Sequence, residues 1–187
     1  MRIGYCFTGS HCTLERSFGA LVGLVNEGHE IIPIMSENAF YTDTRFQLAE
    51  EFSLRVRELC GRDIIHTVRD AEPLGPRLPL DLLIISPCTG NTRAKLAHGI
   101  TDTAATMAAK AQLRADRPLL IALASNDAMS QNLGNLGRLL TRRAVYFLPM
   151  RQDDPRHKPH SLVAELELMG EAVRAAMRGE QLRPLFV

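Results

Sequence analysis

Four polar stretches hold the groups that could do chemistry: Thr8-Gly9-Ser10, Ser36-Glu37-Asn38, SPCTGNT (86–92) and ASNDAMSQN (124–132). Their side chains are mostly hydroxyls and amides, with few charges. That inventory suits a neutral, planar, hydrogen-bonding ligand that carries a phosphate, whereas a metal ion would call for more carboxylates or histidines. The phosphate belongs with the first stretch. A glycine-hydroxyl turn between a strand and a helix presents free backbone N–H groups and the positive end of a helix dipole. Taken alone, the turn is open between an anion site and a plain helix start capped by Ser10 or Thr13. It is not G-x-G-x-x-G and lacks the Gly-Lys-Ser/Thr ending of a P-loop, so it does not describe NAD or ATP held in those ways.

The elements that must position these stretches alternate. Residues 2–7 read as a strand, 12–27 as a helix with Leu14, Phe18, Leu21, Val22 and Val25 at three- and four-residue steps, and 30–35 as a second strand after Gly28. A helical pattern covers 44–60, and the proline-rich AEPLGPRLPLD is a loop. The run LDLLIIS (80–86) has the continuous apolar character of a central parallel strand. Helices over 91–98 and 102–114, a strand over 118–124, a helix over 128–142, a strand over 144–150 and a C-terminal helix over 162–178 complete the series. This order predicts a three-layer α/β sandwich of the Rossmann-like, flavodoxin-like kind, a parallel sheet with helices on both faces, in a single domain over 1–187. Ligands in such sheets sit beyond the carboxyl ends of the strands, where all four polar stretches fall.

Composition narrows the class. With 22 Lys and Arg against 21 Asp and Glu, the net charge is +1, which gives no reason to expect nucleic acid or an acidic membrane as partner. No apolar run approaches the ~20 residues that span a bilayer, and no signal-peptide pattern opens the chain, so the expected location is cytoplasmic. Cys6, Cys12, Cys60 and Cys88 form no C-x-x-C pair and no zinc spacing, so no metal is expected. Cys12 and Cys88 flank the polar stretches, which leaves their reactivity open.

The stretch SPCTGNTRAKLAHGITDTAATMAAKA (86–111) resembles the Pro-x-Ser-Ala-Asn-Thr-x-x-Lys-x-Ala-x-Gly-x-x-Asp-x-Leu signature of the FMN-binding flavoprotein family, which includes phosphopantothenoylcysteine decarboxylase. Pro87, Asn91, Thr92, Lys95, Ala97, Gly99 and Asp102 match, while Thr89, Gly90 and Ala104 replace the serine, alanine and leucine. Within that family, GSHCT, AEPLGPRLPLD, TGN, SNDA and QDDPRHKPHSLVAELELM are similar to the flavoprotein subunits of bacterial dipicolinate synthases. The resemblance implies oxidation of a cyclic lysine-pathway intermediate to pyridine-2,6-dicarboxylate in the mother cell of a spore-forming bacterium. It implies a partner, the A subunit of dipicolinate synthase, with a nicotinamide-nucleotide fold, a small dicarboxylate as substrate, and homo-oligomers such as trimers or dodecamers. The small-residue face of 102–114 (Ala104, Ala105, Ala108, Ala109, Ala111) fits either an intersubunit contact or packing on the sheet.

The same resemblance implies the site. The FMN phosphate would lie on Thr8, Gly9, Ser10 and His11 with Ser36, and phosphate or sulfate would take its place if flavin were lost. Pro87, Thr89, Gly90, Asn91 and Thr92 would border the flavin ring, with Lys95 near it. His11 and Asn126 are the candidates for catalysis, and neither is placed as a convincing general base. Two departures count against a decarboxylase. The family's functional histidine shortly before the strand is absent, His66 lying well upstream, and Pro-x-Met-Asn has become Ala124-Ser125-Asn126-Asp127. A cysteine decarboxylase and a non-catalytic subunit retaining only a phosphate site stay as alternatives.

Overall fold

The computed structural model describes residues 1–75 and 77–187; Pro76, in the expected proline-rich loop, lies outside them. In chain order the elements are β1 (Arg2–Phe7), a 3-10 turn (His11–Thr13), α1 (Leu14–Asn26), β2 (Glu30–Met35), α2 (Glu37–Tyr41), α3 (Ala49–Cys60) and α4 (Val68–Ala71). Then come β3 (Leu82–Cys88), α5 (Gly90–His98), α6 (Ala104–Arg114), β4 (Leu119–Ser125), α7 (Leu133–Leu140) and β5 (Val145–Phe147). The chain closes with β6 (Met150–Arg151), β7 (Leu162–Ala164), a second 3-10 turn (Leu166–Leu168) and α8 (Met169–Met177).

Every residue of β3 and β4 is buried, as their unbroken apolar runs require of strands covered on both faces. Alternation then divides the side chains between two cores. Ile3, Tyr5, Phe7, Leu82, Ile84 and Leu120 pack with α1, α3 and α8 on one face. Leu83, Ile85, Leu119, Ile121 and Leu123 pack with α5, α6 and α7 on the other. The five parallel strands run β2-β1-β3-β4-β5, so the order reverses between β1 and β3 and opens a crevice beyond their carboxyl ends. Beneath it a buried polar cluster pins α1 to the sheet. Tyr5 donates to the Ser17 carbonyl at 2.8 Å, and Ser17 Oγ donates to the Ser86 carbonyl at 2.6 Å.

Several expectations fail, each for a local reason. Residues 162–164 are a strand, not the start of a helix. Leu162 and Ala164 are buried while Val163 is half-buried, a period of two that the leucine spacing to Leu166 and Met169 disguised. This strand runs antiparallel to the end of β4 and to β6, so the sheet is not wholly parallel, and the expected 144–150 strand is divided between β5 and β6. The helix expected over 128–142 begins only at Leu133, because Met129 and Ser130 turn to bond His160 and Asp127 carbonyls. The helix expected over 44–60 begins at Ala49, and α2 precedes it. The alanine face of α6 is spent inside the chain, where all five alanines lie in the core under β3 and β4.

Candidate functional site

Two adjoining cavities of about 410 and 500 Å³ open at the carboxyl edge, both bordered by Gly9, Thr89 and Asn91. Ser36, Asn38, Thr92, Lys95 and Asp102 complete the smaller one. Arg16, Ser125, Asn126, Asp127, Asp153 and Lys158 border the larger. The antiparallel pairing of β7 on β4 is what folds Asp153 and Lys158 over this edge, since their loop joins β6 to β7.

At the first turn the Ser10 amide is already bonded to the Thr8 carbonyl at 2.7 Å. The Gly9 and His11 amides have no protein acceptor among the described residues. A Cβ on Gly9 would come within 3.1 Å of Asn38 Cβ, so glycine lets the backbone approach α2 closely. Ser36 caps α2 by accepting from the Ala39 amide at 3.3 Å, which leaves its hydroxyl proton free to donate. The unbonded Gly9 amide and the Ser36 hydroxyl border the smaller cavity together, donors that suit a phosphate.

The second wall is tied to the first. Thr8 Oγ1 donates to the Pro87 carbonyl at 2.6 Å and accepts from the Thr89 amide at 3.1 Å. Thr89 caps α5 by accepting from the Thr92 amide, and its hydroxyl donates to Thr92 Oγ1 at 3.0 Å. Asn91 is exposed, and no described residue bonds its amide group, so donor and acceptor both face the shared boundary. Lys95 is held by both Asp102 oxygens at 2.8 Å.

The sequence profile of the Flavoprotein family matches residues 1–174. The chain belongs to the flavoprotein family. The B subunit of dipicolinate synthase from Bacillus subtilis (strain 168) is 43% identical over 186 residues, which span 100% of this chain and 93% of that protein. The crystal structure of the corresponding dipicolinate synthase B subunit from Bacillus halodurans C superposes with a TM-score of 0.91 at 36% identity, covering 100% of this chain and 95% of that one. The FMN-dependent cysteine decarboxylase SpaF shares the fold at 20% identity, with a TM-score of 0.68 and 95% of each chain covered.

In this flavoprotein chain Gly9, Ser10, Ser36, Thr89, Gly90, Asn91 and Thr92 border the cavities, as expected of site residues. Three of the expected ligand contacts do not. Thr8 and Pro87 are spent on each other, so they fasten the two walls together, and His11 sits in the 3-10 turn outside both linings. Partial burial shifts the His11 imidazole below its ordinary range. Asn126 borders the larger cavity. Burial pushes the Cys88 thiol up to about 12, leaving it inert, whereas Cys12 is exposed on the larger cavity.

Sequence reasoning passed over Arg16, Arg93 and Asp127. Nothing in the helical spacing around Arg16 or Arg93 singles either out. Arg93 is fully buried, 3.9 Å from Asp127, while Ser125 and Asn132 both donate to the Asp127 carboxylate. The loss of Pro and Met from the family's Pro-x-Met-Asn beside Asn126 was the available signal that this loop differs.

Proposed function

We propose that this chain is the flavin-carrying subunit of a dipicolinate synthase. It binds FMN across the two adjoining cavities and, with a nucleotide-binding partner subunit, oxidises a cyclic lysine-pathway intermediate to pyridine-2,6-dicarboxylate in the cytoplasm of a sporulating cell. The observation that carries this reading is the pairing of a phosphate-type donor set with an uncharged amide wall, in a chain similar over its whole length to the B subunit of dipicolinate synthase. Gly9, Ser10 and Ser36 would hold the phosphate, and Thr89, Gly90, Asn91 and Thr92 would border the ring. Bound there, FMN would supply a two-electron acceptor. The chain's own residues supply binding and orientation. Arg16 and Lys158, though paired with Glu167 and Asp153 at 3.1 Å, place two cations at the rim of the larger cavity for a dicarboxylate. Self-association belongs to the same reading and is supported by Tyr41, Phe46 and Leu48, all exposed, on and just after α2.

Asn91→Ala is expected to weaken flavin binding by about 1–3 kcal/mol, the cost of losing a bond to a buried ring, without unfolding the protein. A fluorescence titration with unchanged affinity would place the ring elsewhere. For the function itself, both purified subunits are mixed with the lysine-pathway intermediate, and the pyridine dicarboxylate is followed by its ultraviolet absorbance. Turnover should require this chain. A full rate from the partner alone would reduce its role to a structural one.

A flavin-dependent cysteine decarboxylase is the second reading, favoured by one observation. Ile65 bonds the backbone of β2 at Pro33 and Met35, which carries His66 to the carboxyl edge, its ring stacked on Phe40 at 3.9 Å. The long sequence gap before β3 therefore does not keep this histidine from the edge. Carbon dioxide release from a cysteine-ended peptide, with no oxidation of the lysine-pathway intermediate, would select this reading.

A further inference from the structure

Two unusual features meet at one carboxylate. Arg93, on α5, is fully buried, and none of Nε, Nη1 and Nη2 has a hydrogen-bond partner among the described residues. Its counter-charge is Asp127, with Nη2 3.9 Å from Oδ1. A buried cation without hydrogen bonds costs stability, so its retention asks for a use.

The second feature is the donor chain that ends on Asp127. Ser125 Oγ donates to Oδ1 and Asn132 Nδ2 to Oδ2. Asn135 Nδ2 in turn donates to Asn132 Oδ1 at 2.8 Å, and Asn135 Oδ1 lies 3.1 Å from His98 Nε2. Arg138 Nη1 lies 3.2 Å from His98 Nδ1 and 3.1 Å from Nε2, over the ring. The Ser125, Asn132 and Asn135 bonds all point their donors toward the carboxylate. A carboxylate kept only for structure would be enclosed by such donors, yet this side chain is half exposed and borders the 500 Å³ cavity. Its unused lone pairs face the space where a small acid would sit.

We propose that Asp127 is the proton acceptor of this cavity and that Arg93 is the positioning residue that keeps its carboxylate ionised and in place. The inference rests on the oxidative reading above. Turning a partly reduced ring acid into an aromatic dicarboxylate removes one hydride and one proton. An oxidised flavin, if bound across the two cavities, would take the hydride from one C–H bond. A neighbouring ring C–H or N–H bond breaks toward Asp127, its electron pair entering the ring π system while an O–H bond forms on the carboxylate. The half-exposed carboxyl then returns the proton to solvent.

Arg93 faces Asp127 from α5; across the cavity stand Arg16 from α1 and the Asp153–Lys158 pair from the β6–β7 loop. Cys88, beside Arg93, is a neutral thiol. Burial pushes the Asp127 pKa up, but the Ser125 and Asn132 bonds and the Arg93 charge outweigh it and hold the group below the usual carboxylate range.

The positioning role is tested on the purified chain, without partner or substrate, by following the Asp127 carboxyl through pH by carbon NMR. Arg93→Met should raise its midpoint by about one unit, and Arg93→Lys should restore most of the difference. An unmoved midpoint in Arg93→Met overturns the role. For catalysis, Asp127→Asn with the partner subunit should lower kcat by about a hundredfold or more. Pyridine-2,6-dicarboxylate, measured by calorimetry, should bind at least as tightly, because a negative charge has left the cavity. Near wild-type turnover overturns the catalytic role, and so does product binding that weakens together with turnover. Since Asp127→Asn leaves Arg93 unpaired, Asp127→Asn combined with Arg93→Met is measured beside it and decides the question in the same way if the single variant fails to fold. If the wild-type pair makes no dipicolinate, the oxidative reading and the catalytic role fall together, while the NMR midpoints still decide whether Arg93 governs Asp127.

Discussion

Ser36→Asp is expected to lower FMN affinity by about a thousandfold while leaving riboflavin affinity nearly unchanged. Ser36 caps α2, is 8% exposed, and borders the same cavity as Gly9. Aspartate is as good a cap as serine, so the helix start should survive the change. What changes is the charge. A second phosphate ionisation near pH 6 gives a phosphate ester close to two negative charges at neutral pH. Unit charges about 4 Å apart repel by about 4 kcal/mol at an effective dielectric near 20, and each 1.4 kcal/mol is a factor of about ten. The neutral variant Ser36→Ala removes one charge-assisted bond and should cost only about 1.5–3 kcal/mol. Fluorescence titrations with FMN and with riboflavin separate the two effects, because riboflavin carries no phosphate. If both flavins weaken alike in Ser36→Asp, the side chain acts on the ring or on the fold. If neither weakens, the phosphate does not lie on this turn.

The parallel half of the sheet was legible because burial on both faces leaves a plain trace. LLII and LLIALA can serve only as covered strands at that length, and the polar stretches after them then share one edge by topology. Ser36 could be placed for the same reason, as the first residue beyond β2. The antiparallel addition was not legible. Strands of two and three residues carry too few side chains to establish a period, and SLVAELELM satisfies helical and extended spacing at once. Pairing with β4 decides between them, and that contact is remote in sequence. It also brings Lys158 and Asp153 to the site, so the larger cavity was only half visible. Thr8 shows a different limit. A hydroxyl beside a phosphate-type turn can face the ligand or the next loop, and only the 2.6 Å bond to the Pro87 carbonyl shows which. Arg93 is the plainest case. Its position in the helix says that it faces inward or outward, and nothing in its neighbours announces a fully buried guanidinium.

Gly90→Ala is expected to destabilise the protein by about 1–3 kcal/mol, the range for an added methyl group in a packed site. The cause lies in the neighbours, since Gly90 needs no left-handed backbone. A Cβ there would lie 2.7 Å from Asp127 Oδ1, 2.8 Å from Ser125 Oγ and 3.3 Å from Asn132 Nδ2. Those three groups are bonded to one another, and Asp127 also answers the buried Arg93, so none can retreat without stranding another. This gives a physical reason why glycine stands where the flavoprotein signature has alanine: the carboxylate at 127 occupies the methyl's space. Gly23, on the exposed side of α1 with nothing within 4 Å of its added Cβ, is the control. Gly23→Ala should stabilise by up to about 1 kcal/mol through helix propensity alone. Urea unfolding of both variants measures the difference. The decisive comparison is the cycle of Gly90→Ala with Asp127→Ala, two changes that share one contact and should therefore be less costly together than their sum by about 0.5–3 kcal/mol. Strict additivity would mean that the alanine does not meet the carboxylate, and the account of Gly90 would fall.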